Sequence, residues 1–158
     1  MNPLPGELNG PSMRIAFVGN QDNNAYRLCK WIRQRDIDAE LYLFPRENPT
    51  RSRPEQVDPD LADGYPSWVR QYDDNVGLWP LKRGPVARRI DNEHQLVVTS
   101  GATGLLAAGY FKHTPVVHIA LGSEVSQYPL WVWRWRLSLK WRAASFIMRR
   151  NLKRVAKI

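Results

Sequence analysis

Two strand–helix–strand patterns constrain the fold of this sequence more than any other feature. The first runs from an apolar stretch at residues 14–19, through apolar side chains at helical spacing, to a second apolar stretch at residues 39–44. The second joins similar stretches at residues 95–100 and 115–121. Strands that are apolar throughout are typical of a parallel sheet covered by helices on both faces. The sequence therefore predicts a single α/β domain, a three-layer Rossmann-like fold with a parallel sheet.

The segments around these patterns are less regular. Five prolines in residues 45–66 predict a long irregular connection. Short helices are predicted at residues 66–72 and 85–90. In the second pattern, Gly-Ala-Thr-Gly at residues 101–104 predicts a turn, and residues 105–111 predict the helix that follows it.

Composition excludes several classes of protein. The single cysteine, Cys29, excludes a disulfide framework and a multi-thiolate zinc site, and it is typical of a reducing compartment such as the cytoplasm. The three histidines lack the spacing of a metal site, and no phosphate-binding loop, dinucleotide-binding glycine motif or nucleophile elbow occurs. We therefore expect no metal and no resident cofactor. No apolar run is long enough to predict a helix that spans a bilayer.

The positive charge is confined to one end of the chain. The net charge is +8, yet residues 1–124 hold fourteen basic and fifteen acidic side chains, whereas residues 125–158 hold nine basic side chains and no acidic one. Four of the seven tryptophans also lie in the second part. We interpret residues 129–158 as a basic, Trp-rich helical segment, and residues 1–12 as a flexible tail. An amphipathic helix of this kind suits an anionic membrane surface. The predicted membrane-facing residues are Trp133, Arg134, Arg136, Lys140 and Trp141.

Polar, glycine-bearing corners follow three of the predicted strands. Open α/β sheets bind ligands beyond the carboxyl ends of their strands, so these corners are the candidate site. The first corner contains Gly19, Asn20 and Gln21, and the second could hold an anion on the backbone N–H groups that open its helix. From the three corners we select as substrate-binding candidates Gly19, Asn20, Ser100, Gly101, Gly122 and Ser123. Such a cleft suits a polar ligand such as a sugar.

Three segments carry a resemblance to a known family: Arg-Ile-Ala-Phe-Val-Gly-Asn at residues 14–20, Leu-Tyr-Leu-Phe at residues 41–44, and above all Pro-Val-Val-His-Ile-Ala-Leu-Gly-Ser-Glu at residues 115–124. Together with the Trp- and Arg-rich segment that follows, they resemble the N-terminal, acceptor-side domain of a GT-B fold glycosyltransferase of the family-4-like group. The resemblance implies sugar transfer from a nucleotide-sugar, bound mainly by a second domain, to a sugar or lipid-linked acceptor. It also implies that His118 or Glu124 orients or deprotonates the acceptor hydroxyl.

The partners implied are therefore a donor-binding domain or subunit, the acceptor, and the inner face of an anionic membrane. Without its donor-binding partner, the chain is expected to be inactive. Two alternatives remain open: a nucleic-acid-binding module that uses the basic, aromatic segment, and a non-catalytic α/β module. For His118, the alternative is a packed core residue.

Overall fold

Five parallel strands form one sheet in the computed structural model, which describes residues 13–45, 52–74, 83–120 and 139–155, with the backbone alone for residues 139–145 and 154. The strands are β1 (Arg14–Val18), β2 (Asp38–Leu43), β3 (Val69–Gln71), β4 (Leu96–Ser100) and β5 (Val116–Ile119). Their order across the sheet is β3-β2-β1-β4-β5, and every neighbouring pair is parallel. This is the strand order of a Rossmann-like fold. It reverses between β1 and β4, which makes that boundary the topological switch point.

Helices cover both faces of the sheet. They are α1 (Asn24–Arg33), α2 (Pro85–Glu93), α3 (Gly101–Ala107) and α4 (Leu139–Val155). The crossover through α1 packs on one face, whereas the crossover through α3 runs in the opposite direction and packs on the other face. The two crossovers therefore have the same hand, as the right-handed rule for parallel strands requires. The predicted three-layer architecture is confirmed.

Each face of the sheet has its own apolar core. Phe17 and Leu41 point towards α1 and pack with its buried Cys29. Val18 and Tyr42 point to the other face, where they join side chains of α2 and α3. A fully buried side chain of this size contributes about 1.5–3 kcal/mol relative to an exposed one. The alternation of side chains along β1 and β2 therefore holds both helical layers on the sheet.

Residues 66–72 contain the edge strand β3 and no helix, so the predicted helix in this segment is wrong. The backbone N–H of Leu41 donates to Trp68 O at 2.8 Å, and the N–H of Tyr72 donates to Leu43 O at 2.8 Å. Val69, which lies between Trp68 and Tyr72 in the chain, is buried. The outer edge of β2 offers unpaired backbone groups, and pairing with them outweighs the weak local preference of this segment for a helix.

The predicted turn at residues 101–104 is also wrong, because α3 begins at Gly101 directly after β4. Gly101 has a φ of +71° and therefore makes the change of direction within one residue. Gly104 then lets α3 lie against β1, since a Cβ there would come within 2.9 Å of Val18 O. The helix predicted at residues 105–111 ends at Ala107 and continues as a short 3-10 turn, Ala108–Tyr110. The helix predicted at residues 85–90 is confirmed as part of α2.

A buried carboxylate ties α2 to the loop before β5. Asp91 accepts hydrogen bonds from the backbone N–H groups of Lys112, His113 and Thr114 at 2.9–3.1 Å, and it forms an ion pair with Arg83. Burial raises the pKa of Asp91, but these backbone donors and the guanidinium outweigh burial and lower the pKa below its ordinary value. The carboxylate is therefore a fully satisfied anchor.

A second carboxylate, Glu40 on β2, lies among polar groups beneath α2. It accepts hydrogen bonds from Tyr42 at 2.5 Å and Arg70 at 2.7 Å. His94, at the end of α2, places Nε2 3.4 Å from the Glu40 carboxylate, and its Nδ1 lies 3.1 Å from Ile90 O. Burial is the main influence on the imidazole and lowers the pKa of His94 below its ordinary value.

Candidate functional site

The corners after β1 and β4 meet at the switch point of the sheet. The side chain of Gln21 lies directly on Gly101, so that a Cβ at Gly101 would come within 2.5 Å of Gln21 Oε1. Both corners have left-handed backbone, at Gly19 and Gly101 and also at Asp22 beside Gln21. The structure thus brings together two of the three corners that the sequence predicts.

Asn20 is buried in the β1 corner, and its side chain holds that corner in place. Its Oδ1 accepts a hydrogen bond from the backbone N–H of Tyr26 at 2.8 Å. Its Nδ2 donates to Asn23 Oδ1 at 2.7 Å and to Ser52 O at 2.9 Å. The carboxamide is therefore used to join β1, α1 and the proline-rich connection. Asn20 therefore positions the corner, and the direct ligand contact that the sequence suggests for it stays a prediction.

Ser100 ends β4, and it is also buried, with 2% of its surface exposed. Its hydroxyl has no hydrogen-bond partner among the residues that the structure describes. A buried hydroxyl without a partner costs free energy, and such groups in native structures call for an explanation. In the part of the chain that is described, Ser100 is therefore one candidate residue whose hydroxyl has unused hydrogen-bonding capacity.

His118 lies on β5 beside Thr99 of β4, its partner in the sheet register. The Nδ1 atom of His118 is 2.9 Å from the Thr99 hydroxyl oxygen, and the histidine is partly buried. Because side chains alternate along a strand, Thr99 and Ser100 point to opposite faces of the sheet. The structure therefore does not bring His118 and Ser100 to the same face, although both lie near the carboxyl ends of their strands.

The other candidates lie outside the described residues. Those from the third corner are Gly122, Ser123 and Glu124, and those from the basic segment are Trp133, Arg134 and Arg136. Lys140 and Trp141 belong to the first turn of α4, where the backbone alone is described.

The described part of α4 has one packed face and one basic face. Met148 and Asn151 are buried, and Asn151 Nδ2 donates to Leu105 O of α3 at 2.8 Å. Phe146 is 62% exposed, and the basic side chains Arg149, Arg150 and Lys153 are exposed as well. The spacing of these four exposed residues places them on one face of the helix.

A shallow groove of about 270 Å³ lies along the outer side of α1, away from both corners. At its floor, Asp58 accepts hydrogen bonds from the Tyr26 hydroxyl and the Lys30 ammonium. Burial and this carboxylate together raise the pKa of Tyr26. Trp31 on the rim is half exposed, and the Arg35 guanidinium stacks 3.5 Å from the centre of its ring. Lys30 is paired with Asp58, and the other charged side chain that lines this groove is the exposed Arg27.

Among the described residues, no group of three His, Cys, Asp or Glu side chains is arranged to hold a metal ion. No helix in that part of the chain is long and apolar enough to cross a membrane. Cys29 lies on the buried face of α1, and burial raises the pKa of its thiol to about 12. The thiol is therefore a core group.

The comparisons with known proteins add one structural neighbour. No protein-family model and no curated protein matches this sequence. Among solved structures, the chain is similar to the CMeT domain of the citrinin polyketide synthase, with 7% sequence identity and a TM-score of 0.43. The similarity covers 90% of this chain and 34% of that structure, so the chain spans about a third of the length of that neighbour. The strand order and the helices on both faces define the chain as a Rossmann-like α/β domain.

Proposed function

We propose that this chain is the acceptor-binding half of a glycosyltransferase, which transfers a sugar from a nucleotide-sugar to a sugar or lipid-linked acceptor. The observation that carries the proposal is the meeting of two polar corners at the switch point, where open α/β sheets bind their ligands. The resemblance of residues 14–20, 41–44 and 115–124 to the acceptor-side domain of GT-B enzymes supports the same function. A donor-binding domain or subunit completes the active site.

In this proposal the acceptor lies against Ser100 and Gly101, while Asn20 fixes the shape of the neighbouring corner. The acceptor hydroxyl oxygen attacks the anomeric carbon of the donor sugar, and the nucleoside diphosphate leaves with the electron pair of the broken bond. The hydroxyl proton passes to a base, for which His118 and Glu124 are the candidates. Because His118 lies on the opposite face of the sheet from Ser100, it can serve only if the acceptor extends past the carboxyl ends of β4 and β5. The contact between His118 and Thr99 at 2.9 Å would fix the orientation of the imidazole ring.

The exposed face of α4 supports a second part of the proposal, which is attachment to an anionic membrane. Phe146 offers an apolar side chain for the interface, and three neighbouring cations can meet lipid phosphates. Each cation near such a surface contributes about 1 kcal/mol. Together they would deliver a lipid-linked acceptor to the sheet edge.

Turnover measured with and without flanking gene products tests the catalytic part. The chain is purified alone and together with each reading frame that flanks its gene, and release of UDP or GDP from nucleotide-sugars is followed with lipid extracts as acceptor. We expect release only when a donor-binding partner is present, and loss of release when this chain is omitted. Turnover that is unchanged without this chain, or absent with every partner, would contradict the proposal.

Liposome flotation tests the membrane part separately. We expect the chain to float with vesicles that contain phosphatidylglycerol and not with pure phosphatidylcholine. Changing Arg149, Arg150 and Lys153 to Gln should abolish flotation, whereas the Arg88→Gln change on the exposed surface of α2 serves as the charge control. Binding to single-stranded DNA that outcompetes the anionic vesicles would favour a nucleic-acid-binding module instead.

A further inference from the structure

Gln21 is the polar side chain that the β1 corner presents to the β4 corner. Its carboxamide oxygen would be 2.5 Å from a Cβ on Gly101, so the amide lies over the backbone that directly follows Ser100. Gln21 is partly exposed, in contrast to the buried Asn20 beside it. The amide therefore stands at the solvent side of the position where the two corners meet.

The hydrogen-bonding capacity of Gln21 is unused within the described part of the chain. In that part, the backbone carbonyl of Gln21 accepts hydrogen bonds from the Asn24 side chain at 3.5 Å and from the Asn24 backbone N–H, and the Gln21 side chain makes none. Asn20, by contrast, uses both ends of its carboxamide within the fold. The amide of Gln21, which lies on Gly101, is thus open to a ligand, and the hydroxyl of Ser100, the residue before Gly101, is buried without a partner in the described part of the chain.

The chemistry of this pair identifies what it can bind. A carboxamide and a hydroxyl are both neutral, and each can donate and accept hydrogen bonds. Residues 19–24 and 99–109 contain no lysine or arginine, which are the side chains that bind phosphate most strongly in proteins. The pair therefore matches a neutral group that both donates and accepts, such as the hydroxyls of a sugar ring.

We propose that Gln21 is a specificity-determining residue that hydrogen-bonds a neutral, hydroxyl-bearing sugar ring at the switch point, beside Gly101. This inference rests on the proposed function and names the part of the acceptor that meets this corner. Phosphate groups of a donor or a lipid-linked acceptor are then bound elsewhere.

Sugar titrations of the full chain followed by ¹H–¹⁵N NMR test the inference. The probes are D-glucose, D-mannose, D-galactose and N-acetyl-D-glucosamine at millimolar concentration, with inorganic phosphate as the charged control. We expect at least one sugar to shift the side-chain NH₂ of Gln21 and the backbone amide of Gly101. In Gln21→Ala the affinity of that sugar should fall about threefold to tenfold, the effect of one neutral hydrogen bond.

Two further variants keep the outcome interpretable. Gln21→Glu retains the size of the side chain and removes its donors, so it should weaken sugar binding as well. Gln71→Ala removes an exposed glutamine from β3 and should leave binding unchanged. Far-UV circular dichroism and thermal unfolding check that each variant folds.

The possible failures differ from one another. Sugar-induced shifts at Ser100 and Gly101 that are equal in the wild type and in Gln21→Ala would overturn the role of Gln21 and leave the proposed function standing. Phosphate shifts at these amides that exceed the sugar shifts would overturn the preference for a neutral ligand. No sugar response at either corner would overturn this inference, whereas the proposed function is decided separately by the turnover experiment.

Discussion

The corners after β1 and β4 combine glycine with a small polar residue, and the fold uses the two polar side chains in opposite ways. At the β1 corner, Asn20 makes three hydrogen bonds that join separate segments. At the β4 corner, the Ser100 hydroxyl is as deeply buried and has no partner in the described part of the chain. A buried polar group stabilises a fold only when it is hydrogen-bonded. A polar residue after a strand therefore indicates a ligand contact only where the fold leaves its hydrogen bonds unused.

The largest expected effect is that of Asn20→Ala. This change leaves the backbone N–H of Tyr26 and the carbonyl of Ser52 buried without their partners, and each unsatisfied group costs about 1–3 kcal/mol. We expect the free energy of unfolding, measured by urea denaturation, to fall by about 3–4 kcal/mol. Asn24→Ala, at a partly exposed position next to the same corner, is the control. A loss below about 1 kcal/mol would show that Asn20 does not hold the corner.

Gly101→Ala should have the next largest effect, because it acts on the contact between the two corners. An alanine at φ +71° costs about 1–2 kcal/mol, and its Cβ would displace the side chain of Gln21. We expect the free energy of unfolding to fall by about 2 kcal/mol. In a Gln21→Ala background the loss should be smaller, because the side chain in the way is then absent. Additive losses in this double-mutant cycle would contradict the contact.

A buried titratable group beneath α2, the imidazole of His94, predicts that the free energy of unfolding depends on pH. Burial lowers the pKa of His94, so near the ordinary histidine pKa of about 6.5 the unfolded chain binds a proton more readily than the folded one. The contribution of the neutral His94 to the free energy of unfolding is therefore complete above that pH. It is lost as the pH falls below it, by at most about 1.4 kcal/mol per pH unit.

Urea denaturation between pH 8 and pH 5 measures this effect. His94→Gln should flatten the dependence, whereas His113→Gln, at an exposed position, should leave its slope unchanged. The lowered pKa of Asp91 adds a further loss of stability only at lower pH, near and below the ordinary aspartate pKa of about 3.9. A slope in His94→Gln equal to that of the wild type would assign the dependence to another group.

The corners also show what a sequence can and cannot predict. The apolar runs of β1, β2 and β4 predict their strands because burial on both faces leaves a continuous pattern. The apolar run of β5 also predicts its strand, although Val117 there is exposed. The edge strand β3 has three residues, and it exists through pairing with β2, which no local pattern records. The hydrogen bonds of Asn20 are hidden from the sequence for a similar reason. Asn20 donates to the backbone carbonyl of Ser52, which lies 32 residues away in the chain, and the sequence does not show which side-chain amide will bond to that carbonyl.

The smallest expected effect on stability, and the most informative about the site, is that of Ser100→Ala. Removing a buried hydroxyl that lacks a partner should change the free energy of unfolding by less than about 1 kcal/mol, and the change can be stabilising. If the hydroxyl is kept for a ligand, the same variant should lower sugar affinity in the NMR titration about as much as Gln21→Ala does. Thr103→Ala, on the exposed side of α3, should alter neither quantity. A loss of stability near that of Asn20→Ala, with sugar affinity unchanged, would show that Ser100 is a structural residue like Asn20, because only a hydroxyl used within the fold would cost so much to remove.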